Sequence, residues 1–140
     1  MSAPNIFITA SSDNIVFENA TMIGGGPSRD IIQIQQSTNV VFRNSEFRNN
    51  ENMSWGLFNI FDFSDVKFEN SIISGNTGTG NLLNVTNDAN AIISNTIISD
   101  NTFVYAIAFS TTSTVTLENV EFENNNFSAY EFTELGDSVG

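Results

Sequence analysis

Apolar and polar residues alternate along this chain in short stretches, and each stretch runs into a cluster of Asn, Asp, Gly or Ser. Ile32 and Ile34, Phe58 and Ile60, Leu83 and Val85, and Ile107 and Phe109 are apolar pairs two residues apart. Val40, Val66, Ala91 and Val115 stand in the same relation to Phe42, Phe68, Ile93 and Leu117. A period of two, rich in β-branched and aromatic residues, predicts strands, and the polar clusters supply turn chemistry. Helical spacing is found nowhere.

The alternation recurs. Phe42-Arg43-Asn44-Ser45-Glu46-Phe47-Arg48-Asn49-Asn50 returns as Phe68–Asn76, Ile93–Asn101 and Leu117–Asn125, in the pattern apolar-x-Asn-x-x-apolar-x-x-Asn. Phe17–Gly25 is a fifth copy in which Gly25 replaces the second Asn. The first Asn falls at 19, 44, 70, 95 and 119, at intervals of 25, 26, 25 and 24. Three strands per interval, with like residues at like phase, predict an all-β parallel β-helix, a solenoid in which each repeat is one coil.

Coils stacked about 4.8 Å apart place like on like. Phe17, Phe42, Phe68, Ile93 and Leu117 form one interior column and Met22, Phe47, Ile73, Ile98 and Phe122 another. Residues 1–140 read as one domain with coils at about 5–29, 30–54, 55–80, 81–104 and 105–129, and 130–140, with Tyr130 and Phe132 alternating, as the start of a further coil or a tail. Ile31, Leu57 and Leu82 are a third apolar column, which marks a lateral contact if it points outward and belongs to the core if it occupies a corner.

An Asn amide carries donors at one end and an acceptor at the other, so Asn residues one strand spacing apart can bond along the axis. Asn44, Asn70, Asn95 and Asn119 are predicted to form one such ladder at a corner, and Asn50, Asn76, Asn101 and Asn125 a second. The first set also tolerates the left-handed backbone that a sharp corner demands. On this reading Asn70→Leu costs roughly 1–3 kcal/mol through unpaired neighbours.

Composition narrows the chemistry. The chain has no Cys and no His, which excludes thiol chemistry, disulfides and zinc sites built from those residues. Four basic residues against sixteen acidic give a net charge of −12, so nucleic acid and anionic membrane are not expected partners. No stretch approaches the roughly 18 apolar residues of a membrane-spanning helix, and direct membrane insertion is not expected. Met1–Pro4 has neither the basic start nor the apolar centre of an export signal.

The repeated block, clearest in Phe47-Arg48-Asn49-Asn50 and Phe122-Glu123-Asn124-Asn125, resembles the Phe-x-x-Asn repeats of polymorphic outer-membrane-protein-type adhesins. More broadly, Asn5 to Asn125 is similar to the pectin-lyase-like right-handed β-helix superfamily. The companion Gly-Gly-Ala-apolar motif is missing, since Gly24-Gly25-Gly26 leads to Pro27. The resemblance implies a right-handed coil and a surface or extracellular location. It leaves function open among lyases, glycosidases, tailspikes, adhesins and surface proteins.

Enzymes of that superfamily use clustered Asp residues, or Asp-bound calcium with a basic residue, in a groove along one sheet. Asp62, Asp65 and Asp88 fall near one corner, and Glu118, Glu121 and Glu123 near the end. Arg43 shares a column with Glu18 and Glu69 and reads as a neutralising charge rather than a base. No catalytic residue, metal ligand or cofactor is therefore assigned, calcium between Asp62 and Asp88 being the cofactor alternative. Gln33, Asn59 and Asn84 form an outward amide column on a flat sheet, able to bond sugar hydroxyls. Trp55, Phe61 and Phe63 break the polar pattern of their positions, either as a glycan or partner contact or as corner packing in one irregular coil.

Four residues precede Asn5 and no amphipathic capping helix is apparent, so coil ends are expected to meet either further coils of a longer chain or a second copy, end to end. The reading is a non-enzymatic structural or adhesive β-helix module of an extracellular surface or filament. The alternative is a carbohydrate-binding or polysaccharide-cleaving β-helix, with glycans as partners.

Overall fold

A computed structural model describes residues 6–8, 13–24, 28–128 and 132–135. The chain winds through strands in a fixed order. The first coil holds β1 (Ile6–Ile8), β2 (Val16–Glu18) and β3 (Thr21–Ile23). The second holds β4 (Ser28–Gln35), β5 (Val40–Arg43) and β6 (Glu46–Arg48), and the third β7 (Met53–Phe61), β8 (Asp65–Glu69) and β9 (Ile72–Ser74). In the fourth, β10 (Asn81–Val85) is followed by β11 (Asn90–Ser99) and β12 (Thr102–Phe103). The fifth repeats this with β13 (Tyr105–Ser110), β14 (Thr114–Glu123) and β15 (Asn126–Phe127), and β16 (Phe132–Leu135) lies beyond.

Every pairing is parallel and joins strands one coil apart. β1, β4, β7, β10, β13 and β16 form the first sheet, and the strands on either side of the repeated Asn corner form the second. The described residues contain no helix, and so none long and apolar enough to cross a membrane. Phe132 pairs with Ile107; Tyr130 and the side chain of Ile31 lie outside the described residues.

Register carries the core. Phe17 faces Phe42, which faces Phe68, which faces Ile93. The rings of Phe17 and Phe42 stack at 4.8 Å and those of Phe42 and Phe68 at 5.2 Å, while Phe47 meets Phe58 edge-on at 4.9 Å. Offset and edge-on contacts of this kind add to area burial. Leu57 and Leu82 are fully enclosed in the same core, which settles their column as interior.

The two Asn columns differ in kind. Asn19, Asn44, Asn70, Asn95 and Asn119 all adopt left-handed backbone, φ between 48° and 56°. Their side chains are exposed. Asn119 Nδ2 donates a hydrogen bond to Asn95 Oδ1 at 2.8 Å, and among the described residues none joins Asn44 to Asn70 or Asn70 to Asn95. This column turns the chain; it is not the ladder that its phase suggested. The turn is tight enough for β11 and β14 to pair continuously across it, so two of the predicted strand breaks are absent.

The inward position directly after that Asn holds the corner together. Ser45 and Ser71 Oγ and Thr96 Oγ1 each donate to the carbonyl two residues back, at 2.8–2.9 Å. They accept from the backbone N–H of Ala20, Ser45 and Ser71 in the coil below. Sequence patterning missed this buried hydroxyl column because Ser and Thr look like ordinary turn residues.

The second Asn column is a continuous buried ladder. Asn50 Nδ2 donates to Asn76 Oδ1 at 2.9 Å, Asn76 Nδ2 to Asn101 Oδ1 at 2.9 Å, and Asn101 Nδ2 to Asn125 Oδ1 at 3.1 Å. Each Nδ2 also reaches a carbonyl of the coil below, of Met22, Phe47, Ile73 and Ile98 in turn. The left-handed residue at this corner is the one before: Gly24, Asn49, Gly75, Asp100 and Asn124. That turn swings the following amide inward.

Charges on the outer face pair along the same register. Arg43 Nε lies 3.2 Å from Glu69 Oε2 and Lys67 Nζ 2.8 Å from Glu69 Oε1. The Lys67 ammonium, with Arg43 adding to it, holds the Glu69 carboxyl below its ordinary value. The backbone N–H and hydroxyl of Thr38 do the same for Asp13.

Two outcomes follow. Asn76→Leu leaves the Asn50 amide, the Asn50 N–H, the Phe47 carbonyl and the Asn101 acceptor short of a partner, and should cost about 3–5 kcal/mol in urea denaturation. Asn70→Leu should cost only about 1–2 kcal/mol, for its left-handed backbone, and Asn70→Gly nearly nothing. As to pH, lowered folded-state values mean that Glu69 and Asp13 contribute stability above the unfolded carboxylate range of about 4, and lose it as pH falls through the depressed values. The urea midpoint of wild type should therefore converge on that of Glu69→Gln as pH is lowered from 7 to 3.

Candidate functional site

Irregularity in this molecule concentrates at one corner, where the chain enters the first sheet. Ser28 pairs with Met53, yet Asp30 pairs with Gly56, so β7 carries one residue more than β4 across Ser54 and Trp55. That bulge accounts for the 26-residue interval. The 24-residue interval is closed at the same corner, since Thr77 faces Thr102 while Asn81 faces Tyr105. Bulges re-aim side chains, and here Trp55 is turned out to 51% exposure.

The bulge needs glycine beside it. A Cβ on Gly80 would collide with the Trp55 carbonyl, and one on Gly56 would lie 2.7 Å from Asn84 Nδ2. With those spaces open, Asn81 Nδ2 donates to Asn84 Oδ1 at 2.9 Å and Asn84 Nδ2 to the Trp55 carbonyl at 3.3 Å. This short amide chain ties the tryptophan's backbone to the next coil.

Trp55 forms one rim of a trough over the first sheet. Its two adjoining clefts, about 380 and 430 Å³, share Trp55, Asn59 and Thr86. Asn84, with Asn81 and Gly80, lines the first, and Phe61 with Asn87 the second. None of the described residues lining either cleft is ionisable.

Of the amide column, Asn59 and Asn84 line this trough. Gln33 is 8% exposed and Asn59 6%, with Asn84 half-buried. Gln33 lines neither cleft. Asn59 lines both, and among the described residues no group hydrogen-bonds its side-chain amide. Phe63, 64% exposed and left-handed at φ 64°, stands on the following corner outside both clefts. Of the three aromatic residues, the fold therefore unites Trp55 and Phe61 and leaves Phe63 apart. Ser54, Gly80, Asn81, Thr86 and Asn87 were not foreseen; the 26-residue interval was the signal that could have found them.

Two of the acidic candidates, Asp62 and Asp65, are held by side-chain amides. Asp62 Oδ2 accepts from Gln35 Nε2 at 2.7 Å and Asp62 Oδ1 from Asn87 Nδ2 at 3.0 Å, and Asp65 Oδ1 accepts from Asn90 Nδ2 at 2.8 Å. Among the described residues no three of Asp, Glu, His or Cys converge as a metal site would need.

The curated proteins contain no match to this chain. A family model for right-handed β-helix regions matches residues 2–137. Parallel coils in constant register, turned by left-handed residues and covered by that match over nearly their whole length, make this chain a member of the right-handed β-helix family.

Proposed function

We propose that the chain is a non-enzymatic structural and adhesive module of an extracellular surface, whose coils continue along the axis into further coils or a second copy. The observation that carries this reading is the direction of its hydrogen bonds. The buried Asn and Ser/Thr side chains are committed to bonds between coils, which gives axial cohesion. β14 pairs with β11 on one side and, among the described residues, with no strand on the other. An added coil in register would extend the Leu117 and Asn125 columns. A net charge of −12 keeps the flanks of such rods apart.

Polysaccharide handling is the second reading, and the trough favours it. Cleavage needs an ionisable acid or base at the bond, and among the described residues the lining holds none.

A second copy whose β2 paired with the open edge of β14, its β1 taking the place that β16 holds on β13, would set Glu118 beside Glu18, whereas within the chain Glu18, Arg43 and Glu69 alternate in sign. Sedimentation velocity at rising concentration should therefore reveal end-to-end association that strengthens with salt, and Glu118→Arg should strengthen it at low salt. A single monomeric species for both proteins under all conditions would remove the stacking. Release of oligosaccharide product from a panel of acidic and neutral polysaccharides would overturn the non-enzymatic assignment.

A further inference from the structure

We propose that β16 is a strap laid by the chain over its own stacking edge, and that a second copy docks by exchanging its β1 for that strap. This rests on the end-to-end reading above and names how the stacking is regulated.

The starting point is a step at one end of the rod. On the first sheet β16 lies over β13, whereas on the second sheet β14 is the last strand among the described residues. The two sheets therefore stop at different levels. A second copy brings β1, β2 and β3 at a single level, because all three belong to its first coil and pair with β4, β5 and β6 of the next. Seating that β2 on β14 sets the accompanying β1 on β13, where β16 already lies. One edge of a strand bonds one neighbour, so β1 and β16 compete for the same place.

Register shows which of the two continues the stack better. β16 sets Phe132 over Ile107, Thr133 over Ala108 and Glu134 over Phe109. The column that Glu134 joins runs through Ile34, Ile60, Val85 and Phe109, and its first three members are fully buried in the core. A carboxylate at the next level of an apolar column is a poor continuation, since an ionised group resists losing its water, and charge at an interior position of an edge strand is a known way to weaken pairing. Burial one level below marks the same difference. Ile107, under Phe132, is fully buried, whereas Phe109, under Glu134, is only half-buried. β1 carries no such charge: Ile6 faces Ile32 and Ile8 faces Ile34 in its own chain, so on β13 of another copy they would stand over Ile107 and Phe109. Both columns then continue in apolar residues.

A strap of this kind regulates by concentration. β16 pairs imperfectly but is tethered, which gives it an effective concentration of roughly a millimolar against any β1 arriving from solution. Dilute copies keep their straps and stay apart. Crowded copies exchange them, and the same exchange opens β14 to the incoming β2.

The test uses full-length protein, with sedimentation velocity for association and hydrogen exchange for the two competing strands. Glu134→Ile improves the strap and should raise the concentration needed for association about tenfold, and Phe132→Asp weakens it and should lower that concentration about tenfold. Non-specific aggregation through an uncovered Ile107 would mimic the second result, and exchange separates the two. On association of the wild type, amides of Ile6–Ile8 should gain protection while those of Phe132–Leu135 lose it. If Phe132→Asp does not fold, Glu134→Ile and the wild-type exchange pattern still decide.

The strap is overturned, and stacking left standing, if Glu134→Ile associates as readily as wild type or more so, or if Phe132–Leu135 keeps its protection in the associated state. Absence of association in wild type and every variant, at all salt concentrations, overturns stacking and the strap together.

Discussion

Vertical register at one strand spacing is the constraint on which this molecule depends. A parallel coil has no partner within itself, and each strand finds its backbone bonds only in the coils above and below. Once residue i must lie over residue i + 25, a good side chain at one level is good at every level. The stacked rings of Phe17, Phe42 and Phe68 and the amides of Asn50, Asn76, Asn101 and Asn125 are the same solution in apolar and polar form. Two left-handed residues five apart recur in each repeat, from Asn19 and Gly24 to Asn119 and Asn124, and turn the chain without disturbing that register.

Those two turns explain why asparagine does two jobs. At the first it is chosen for backbone conformation, and its side chain faces water. At the second the turn itself can be Gly24, Gly75 or Asp100, because the amide that matters belongs to the next residue and is buried. Burial raises the stakes of a polar group in both directions: matched on every side it rigidifies the stack, and unmatched it destabilises it. The Ser45–Ser71–Thr96 column obeys the same rule with hydroxyls.

The architecture was readable from the sequence because the period was. Intervals of 25, 26, 25 and 24 and alternation within each repeat place strands, interior columns and coil boundaries without any knowledge of contacts. Which Asn column is buried was not readable, since both repeat with the same period and one residue of displacement separates a turn from an inward amide. The Ser and Thr column escaped for a related reason: Ala20 and Val120 interrupt it at either end, and its residues are too common in turns to stand out. For the trough, Trp55, Asn59 and Asn84 were picked out by type. Their depth was hidden, because rims made by a bulge have no signature in the alternation.

The bulge shows how a solenoid acquires a local site at all. A perfectly repeating rod presents the same surface at every level, so a distinct site requires a break in the repeat, and a break is tolerated only where the next coil can be spared a collision. At Ser54–Trp55 that condition is met by Gly56 and Gly80, one leaving room for the Asn84 amide and the other for the Trp55 carbonyl. Pairing resumes within the same strand, as Ile32 faces Phe58 and Gln33 faces Asn59. The regular core therefore bears the load of stability while the corner is free to hold features that a uniform stack would reject, an outward indole and an Asn59 amide that no described residue hydrogen-bonds. Both breaks in coil length fall at this corner, whereas the Asn95 corner is paired straight through, so the fold confines its variation to the edge of the first sheet.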